Sequence, residues 1–435
     1  MTHAPRVRWH WPVHSVIAVL IAIMGYCLSP RNLLAQDVSP LETQQSVTIL
    51  YGHRITFRVE ATHSSALIMA RLVLQVENRQ TAYSVDVPVS PATHVTISQP
   101  VDVTVIPLPP TAILNATWEF TDETGLTLQS EPRTITYVDD LVPWNWVEST
   151  GERIIVYSDG REPTLASQVI ALGDATIRQM GQLLDVTPQE PLRLYLYPGL
   201  APMANALRLH NVRVEDWVVG YALPDQRTAL LAIEETPDAL DQLGQDVPHE
   251  ITHLLIGLSA GPNSGSVPGW FSEGLAVMSS VKPNLALDNA LQSAVRDDRL
   301  LDAQALCAPG FLSLPPGEAT LAYAQSASMA RYLIEAHGGV AVRGLMEAYS
   351  DGVPCEQGIE RALGITYREF ETGWQNSLRR SVARSPGNES SLLPWLIVSL
   401  TSFLLALLFI APGARRFNRQ QHLAQVRIGS SRIEQ

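Results

Sequence analysis

The order of apolar and polar positions divides the chain into segments of different character. Arg6 and Arg8 precede an apolar run from Val13 to Leu28, and a second apolar run extends from Leu392 to Ile410. Between them, from about Val38 to Tyr137, short stretches alternate apolar and polar residues. Examples are Ile55-Thr56-Phe57-Arg58-Val59, Leu72-Val73-Leu74-Gln75-Val76 and Thr117-Trp118-Glu119-Phe120. A period of two sends successive side chains to opposite faces of a strand. With polar or proline-rich turns between the stretches, the pattern predicts a small antiparallel β-sandwich, Ig-like, over residues 37–140. The linker Pro143-Trp144-Asn145-Trp146 leads into a mixed region. There the pattern predicts a strand at Ile154 to Tyr157, a helix at Pro163 to Leu184, a strand at Leu192 to Tyr197 and a helix at about Ala201 to Leu209. Strands around Val218 to Tyr221 and Thr228 to Ile233 follow, ahead of a helix through His249. This is an α+β layout, with a domain spanning 150–382.

The terminal runs carry topological meaning. The first is short for a membrane-spanning helix and follows basic residues, so residues 1–36 read as a signal peptide cleaved near Ala35. An uncleaved anchor and a lipid attached to Cys27 are the competing readings, the latter disfavoured by the bulk of Tyr26 before the cysteine. Leu392 to Ile410 is uncharged, begins near the interfacial ring of Trp395 and is long enough to cross a bilayer. It predicts a transmembrane helix at 392–411. Arg415, Arg416, Arg419, Arg427 and Arg432 follow, which marks 412–435 as a basic cytoplasmic tail. The expected location is the cell membrane, with a single C-terminal span and the bulk of the chain outside the cytoplasm.

Composition agrees with export. The net charge is −13 despite the basic tail, which argues against a nucleic-acid partner. Of 3 cysteines, Cys307 and Cys355 lie beyond the signal region and can pair only if the fold brings them together. The β-rich region holds scattered histidines, His53, His63 and His94, and reads as a spacer or contact module. Its Asn115-Ala116-Thr117 sequon is read as incidental.

The candidate chemistry is concentrated in His249-Glu250-Ile251-Thr252-His253 and in Gly269-Trp270-Phe271-Ser272-Glu273-Gly274-Leu275-Ala276. Histidines four apart on a helix are separated by about 40° of rotation and about 6 Å of rise, so both imidazoles can reach one metal ion. Glu273 is the candidate third ligand. Three protein ligands and an open position describe a catalytic Zn²⁺ site, with Glu250 placed as general base. The bland alternative is two ordinary histidines of an amphipathic helix and a solvated carboxylate. Pro248 is read as an early helix residue.

At these residues the chain resembles the gluzincin branch of zinc metallopeptidases, especially the peptidase MA-like domains of membrane-anchored bacterial proteins. The likeness runs from about Ile154 to Leu378. It passes through Ala322-Tyr323-Ala324-Gln325-Ser326 and Arg331-Tyr332-Leu333 to Ala362-Leu363-Gly364 and Phe370-x-x-x-Trp374. The resemblance implies a thermolysin-like domain, bound zinc and hydrolysis of peptide bonds. It also implies a cleft bordered by the last strand of the sheet, for which Arg227 to Ile233 is the candidate. One departure matters. The zinc aminopeptidases related to leukotriene hydrolase carry G-x-M-E-N before the metal helix, whereas here the nearest match is Gly220-Tyr221-Ala222 with no glutamate at that spacing. Glu234 and Glu235 read as solvated loop residues, and an endopeptidase is favoured.

Three further assignments remain open at this level. Oxyanion stabilisation falls to Tyr323, read at the start of a helix ending near Ala336, or to His337 at its end. Either can equally be structural, the tyrosine in the core and the histidine at a helix C-terminus. Asp246 is a partner for a ligand histidine or a helix cap. Ser272, Asn263 and Ser264 lack the neighbours of a serine nucleophile, and Ala260 to Gly265 reads as a loop near the cleft. The expected function is that of a membrane-anchored extracytoplasmic zinc metallopeptidase acting on a peptide or protein substrate. The alternative is a non-catalytic membrane-tethered peptide-binding or envelope-scaffold protein.

Overall fold

The computed structural model describes residues 40–384, apart from residues 78, 80, 81, 107, 144, 162, 213, 214, 216, 217, 235, 237, 238 and 312. The signal region with Cys27, the expected span at 392–411 and the basic tail lie outside the described residues. No helix among the described residues is long and apolar enough to cross a membrane. The chain forms two compact units. One contains the residues up to Val147 together with Tyr197–Val218, and the other contains Glu148–Leu196 and the residues from Val219 onward.

The first unit is built on six strands: β1 (Glu42–Leu50), β2 (Arg54–Val76), β3 (Ala82–Asp102), β4 (Ile113–Asp122), β5 (Thr127–Gln129) and β6 (Arg133–Thr136). All are joined by hydrogen bonds into one antiparallel network. The reason lies in β2. Its first half pairs with β1 and its second half with β4, while β3 runs alongside both. Ile55, Phe57, Val59 and Ala61 point inward at odd positions; after Leu67 the buried residues are Ala70, Leu72, Leu74 and Val76, at even positions. A register shift between Leu67 and Met69 causes the change of parity and leaves Ile68 and Met69 exposed. A bulge of this kind adds one residue to a strand and bends it. Alternation breaks there, so the sequence read one strand as separate short ones.

Tyr197–Val218, expected in the second domain, clusters with this unit. Helix α2 (Leu200–Arg208) buries Met203, Ala206 and Leu207. The following His210 packs edge-on against Tyr51 and Tyr137, with ring centroids 4.9 and 5.4 Å away.

The second unit has a five-stranded sheet in the order β10-β11-β9-β8-β7. Its strands are β7 (Val147–Thr150), β8 (Ile154–Ser158), β9 (Leu192–Tyr197), β10 (Gly220–Leu223) and β11 (Thr228–Ala232). Helix α1 (Pro163–Leu184) connects the parallel pair β8 and β9. Ile154, Val156, Leu192, Leu194, Ala229 and Leu231 share one core with Val169, Ile177 and Met180 of α1, and with Val247, Ile251 and Leu254 of α3 (Ala239–Ala260). Gly173 allows this approach: a Cβ there would lie 2.5 Å from Ile154 Cδ1 and 3.0 Å from Ile251 Cδ1.

Six more helices complete the unit: α4 (Gly269–Ser279), α5 (Leu285–Arg296), α6 (Pro316–His337), α7 (Gly339–Ser350), α8 (Cys355–Leu363) and α9 (Tyr367–Arg384). Gly274 lets α4 lie against α6, since a Cβ would sit 2.4 Å from the Ser326 carbonyl oxygen. Cys307 and Cys355 form a disulfide, with Cα atoms 5.9 Å apart. The stretch between α3 and α4 is two turns of tight helix rather than an open loop, and Asn263 Nδ2 anchors it by donating to the Ser350 carbonyl at 2.7 Å.

Candidate metal centre

Helix α3 presents His249 and His253 on one face, with their Nε2 atoms 3.1 Å apart. From α4, Glu273 Oε2 lies 3.4 Å from His249 Nε2 and 3.2 Å from His253 Nε2. Metal–ligand bonds of about 2.0–2.1 Å in a tetrahedron require ligand atoms about 3.3–3.4 Å apart. The three donors fit that triangle. Glu273 Oε2 is buried and ion-paired to both rings, so the three atoms close on a common point. Two imidazoles and a carboxylate are also the donor types that suit zinc. Among the described residues this is the one group of three or more His, Cys, Asp or Glu placed to hold a metal ion.

Charge and burial are opposed here. Burial works against protonation of His253, but the facing Glu273 carboxylate overrides it and pushes the imidazole up to about 9. Burial likewise works against ionisation of Glu273, yet His253 and then His249 hold it well below the usual carboxylate range. A divalent cation would take over the role of these protons.

The two ligand helices are fastened together on either side of the triangle. Pro248 lies well inside α3, not at its start. Proline has no N–H, so the Gly244 carbonyl one turn earlier has no helical partner. Val281 N–H, just past α4, donates to that carbonyl at 2.9 Å, and Ser280 Oγ donates to the Gln245 carbonyl at 3.3 Å. On the other side, Ser272 Oγ lies 3.0 Å from His253 Nδ1. At the start of α4, Gly269 N–H donates to the Ala308 carbonyl at 3.0 Å.

Glu250 is buried beside the ligands, 7% exposed. Burial raises its pKa, while His249 and His253 act to lower it. Its carboxylate lies against Gly220 of β10, where a Cβ would come within 2.4 Å of Glu250 Oε1. β10 is the outermost strand of the sheet and β11 is paired on both sides, which corrects the candidate edge from Arg227–Ile233 to Gly220–Leu223.

Tyr323 lies inside α6, not at its start, because the helix begins at Pro316. Its ring is 6.3 Å from that of His249 and 5.5 Å, edge-on, from Phe311. Burial, with the charges of Glu273 and Glu250, raises its pKa and keeps the hydroxyl protonated. His337 ends α6 as expected but packs against Tyr332 and Phe370, at 6.0 and 6.4 Å. Asp246 is interior to α3, so the cap reading is overturned. Burial raises its pKa to about 6, opposed by His249 and reinforced by Glu250.

Residues 172–380 match the family described as Peptidase MA superfamily. The match supports a gluzincin-like peptidase MA domain in this segment. Comparison with curated proteins gave no match. One similar solved structure is described as "X-ray structure of Northeast Structural Genomics Consortium target SoR45". It is 10% identical over 25% of this chain and 92% of its own, with a TM-score of 0.16, and carries no argument.

Within the matched segment, the pairing of His249 with His253 was readable from the sequence because a helix has a fixed period, and Glu273 was readable from its own motif. Three participants were not. Ser272 was weighed only as a serine nucleophile and set aside, Gly220 was part of a failed motif match, and Pro248 was an apparent start signal. Each acts through a neighbour distant in sequence, which no local pattern encodes. Glu234 is exposed on the coil after β11, and Glu235 lies outside the described residues.

Proposed function

We propose that this chain is a zinc metallopeptidase, anchored to the membrane by its C-terminal run with the peptidase domain outside the cytoplasm. The observation that carries the catalytic part is the 3.1–3.4 Å triangle of His249 Nε2, His253 Nε2 and Glu273 Oε2, with Glu250 on the same helix. The topology rests on the sequence alone, through the apolar run Leu392–Ile410 and the arginines that follow it.

A bound zinc ion would supply Lewis acidity and acidify a water molecule. Glu250 then takes the proton of the attacking water and delivers it to the leaving amine. Its burial supports this role, because a carboxylate whose affinity for protons is raised is a better base near neutral pH. Tyr323, protonated and beside His249, is the candidate hydroxyl donor to the developing oxyanion. Gly220–Leu223, the sheet edge against Glu250, offers backbone groups for pairing with an extended peptide. Such pairing makes little demand on side chains. The absence of a glutamate following Gly220-Tyr221-Ala222 removes the usual anchor for a free amine and favours internal cleavage.

The test quantifies zinc per chain and cleavage of a mixed peptide library for the parent, Glu250→Gln and Tyr323→Phe. The expected outcome is one zinc per chain in all three, loss of roughly 10²–10⁴-fold in turnover for Glu250→Gln and of roughly 10²–10³-fold for Tyr323→Phe. A Glu250→Gln protein that cleaves like the parent would sink the mechanism. Zinc without cleavage in the parent would support a peptide-binding or scaffold role instead.

A further inference from the structure

Resting on the metal-site reading above, we infer that Ser272 is a positioning residue for His253. Its hydroxyl oxygen accepts the Nδ1–H of that imidazole and so keeps the Nε2 lone pair aimed at the ion.

The geometry comes from α4. Ser272 Oγ is 3.0 Å from His253 Nδ1, and the next residue, Glu273, places Oε2 3.2 Å from Nε2 of the same ring. Two consecutive residues therefore grip the two nitrogens of one imidazole from opposite sides. The helix that carries them is held in place: Ser272 N–H donates to the Pro268 carbonyl at 3.0 Å, and Gly269 N–H donates to the Ala308 carbonyl at 3.0 Å.

The chemistry follows from the imidazole. A neutral ring has one N–H, and ligation through Nε2 uses the lone pair there, so the proton must reside on Nδ1. A half-buried Nδ1–H needs an acceptor, and Ser272 Oγ is the acceptor in reach. With a methyl in its place, the ring gains rotational freedom and the tautomer carrying its proton on Nε2, which cannot ligate, becomes competitive. Loss of an outer partner of a ligand histidine typically weakens metal binding by about 10–100-fold.

The experiment uses the full chain in detergent and the metal alone as probe. Zinc affinity is measured by competition with a chromophoric chelator for the parent, Ser272→Ala and Ser272→Thr. In parallel, ¹⁵N shifts of the His253 ring are recorded in the zinc-loaded parent. The expected results are affinity lower by about 10–100-fold in Ser272→Ala, near-parental affinity in Ser272→Thr with its hydroxyl retained, and a protonated, hydrogen-bonded Nδ1 in the parent. Ser272→Ala binding zinc as tightly as the parent would overturn the inference, as would equal losses in both variants or a deprotonated Nδ1. The shift measurement needs no substitution, so it decides the matter even where Ser272→Ala fails to fold. A parent that takes up no zinc overturns the metal reading itself, and this inference with it.

Discussion

His253 is pulled in two directions, and its response to pH follows. Its imidazole is half-buried yet faces Glu273, which raises its pKa from the ordinary value near 6.5 to about 9 when no metal is present. The raised pKa means that this pair contributes stability fully present below about pH 6.5 and lost as pH rises through about 9. Zinc must displace that proton. Apparent zinc affinity should therefore climb about tenfold per pH unit between roughly 6.5 and 9 and then level off. Chelator competition across that range checks it, and a flat profile would show that His253 is not protonated in the metal-free site. At this scale the two histidines were legible in the sequence because i and i+4 on a helix share a face, and Glu273 through its own motif. Tyr323 and His337 were both candidates in the sequence, and only the fold shows that the Tyr323 ring lies 6.3 Å from that of His249 while His337 packs against Tyr332 and Phe370. Ser272 was passed over because its partner is a ring on another helix.

Elements, not residues, set the precision of the site. Pro248 within α3 looks like an error of helix design until the Gly244 carbonyl it leaves open is seen to receive Val281 N–H from beyond α4. The sequence reading took this proline for a start signal, which is the more frequent meaning of proline near a helix. β10 is a second case. It is short, and alternation did not separate it from β11 as the edge, since edge position depends on which strand remains unpaired after folding. Its Gly220 leaves space for the Glu250 carboxylate, so Gly220→Ala should displace that group. Turnover is expected to fall by about 100-fold, the cost of misplacing a reacting group by about 1 Å. Zinc content should be unchanged. Parental turnover in this variant would mean that β10 does not support the base. In the first unit, the bulge in β2 shows the same limit: one added residue reversed the parity of a strand that the alternation had read in separate pieces.

Across the whole molecule, the Cys307–Cys355 disulfide joins residues separated by 48 positions, tying the turn before α6 to the start of α8. That turn also supplies the Ala308 carbonyl to α4 and Phe311 to Tyr323. Reduction, or replacement of both cysteines by serine, should cost about 2–4 kcal/mol of stability in the second unit. Thermal melts with and without a small dithiol read this directly; identical midpoints would show that the crosslink carries no weight. The sequence by itself determined the α+β order of the second unit, the strand-rich character of the first, and the candidate group of His249, His253 and Glu273 with Glu250 beside it. Apart from Glu273, which its own motif marked, those features follow the local period of helix or strand. Only the tertiary structure decided that Tyr197–Val218 clusters with the first unit, that Gly220–Leu223 is the sheet edge, that the two cysteines meet and that Ser272 faces His253. Each of these joins segments remote in the chain, and the packing of buried faces that unites them has no period to read.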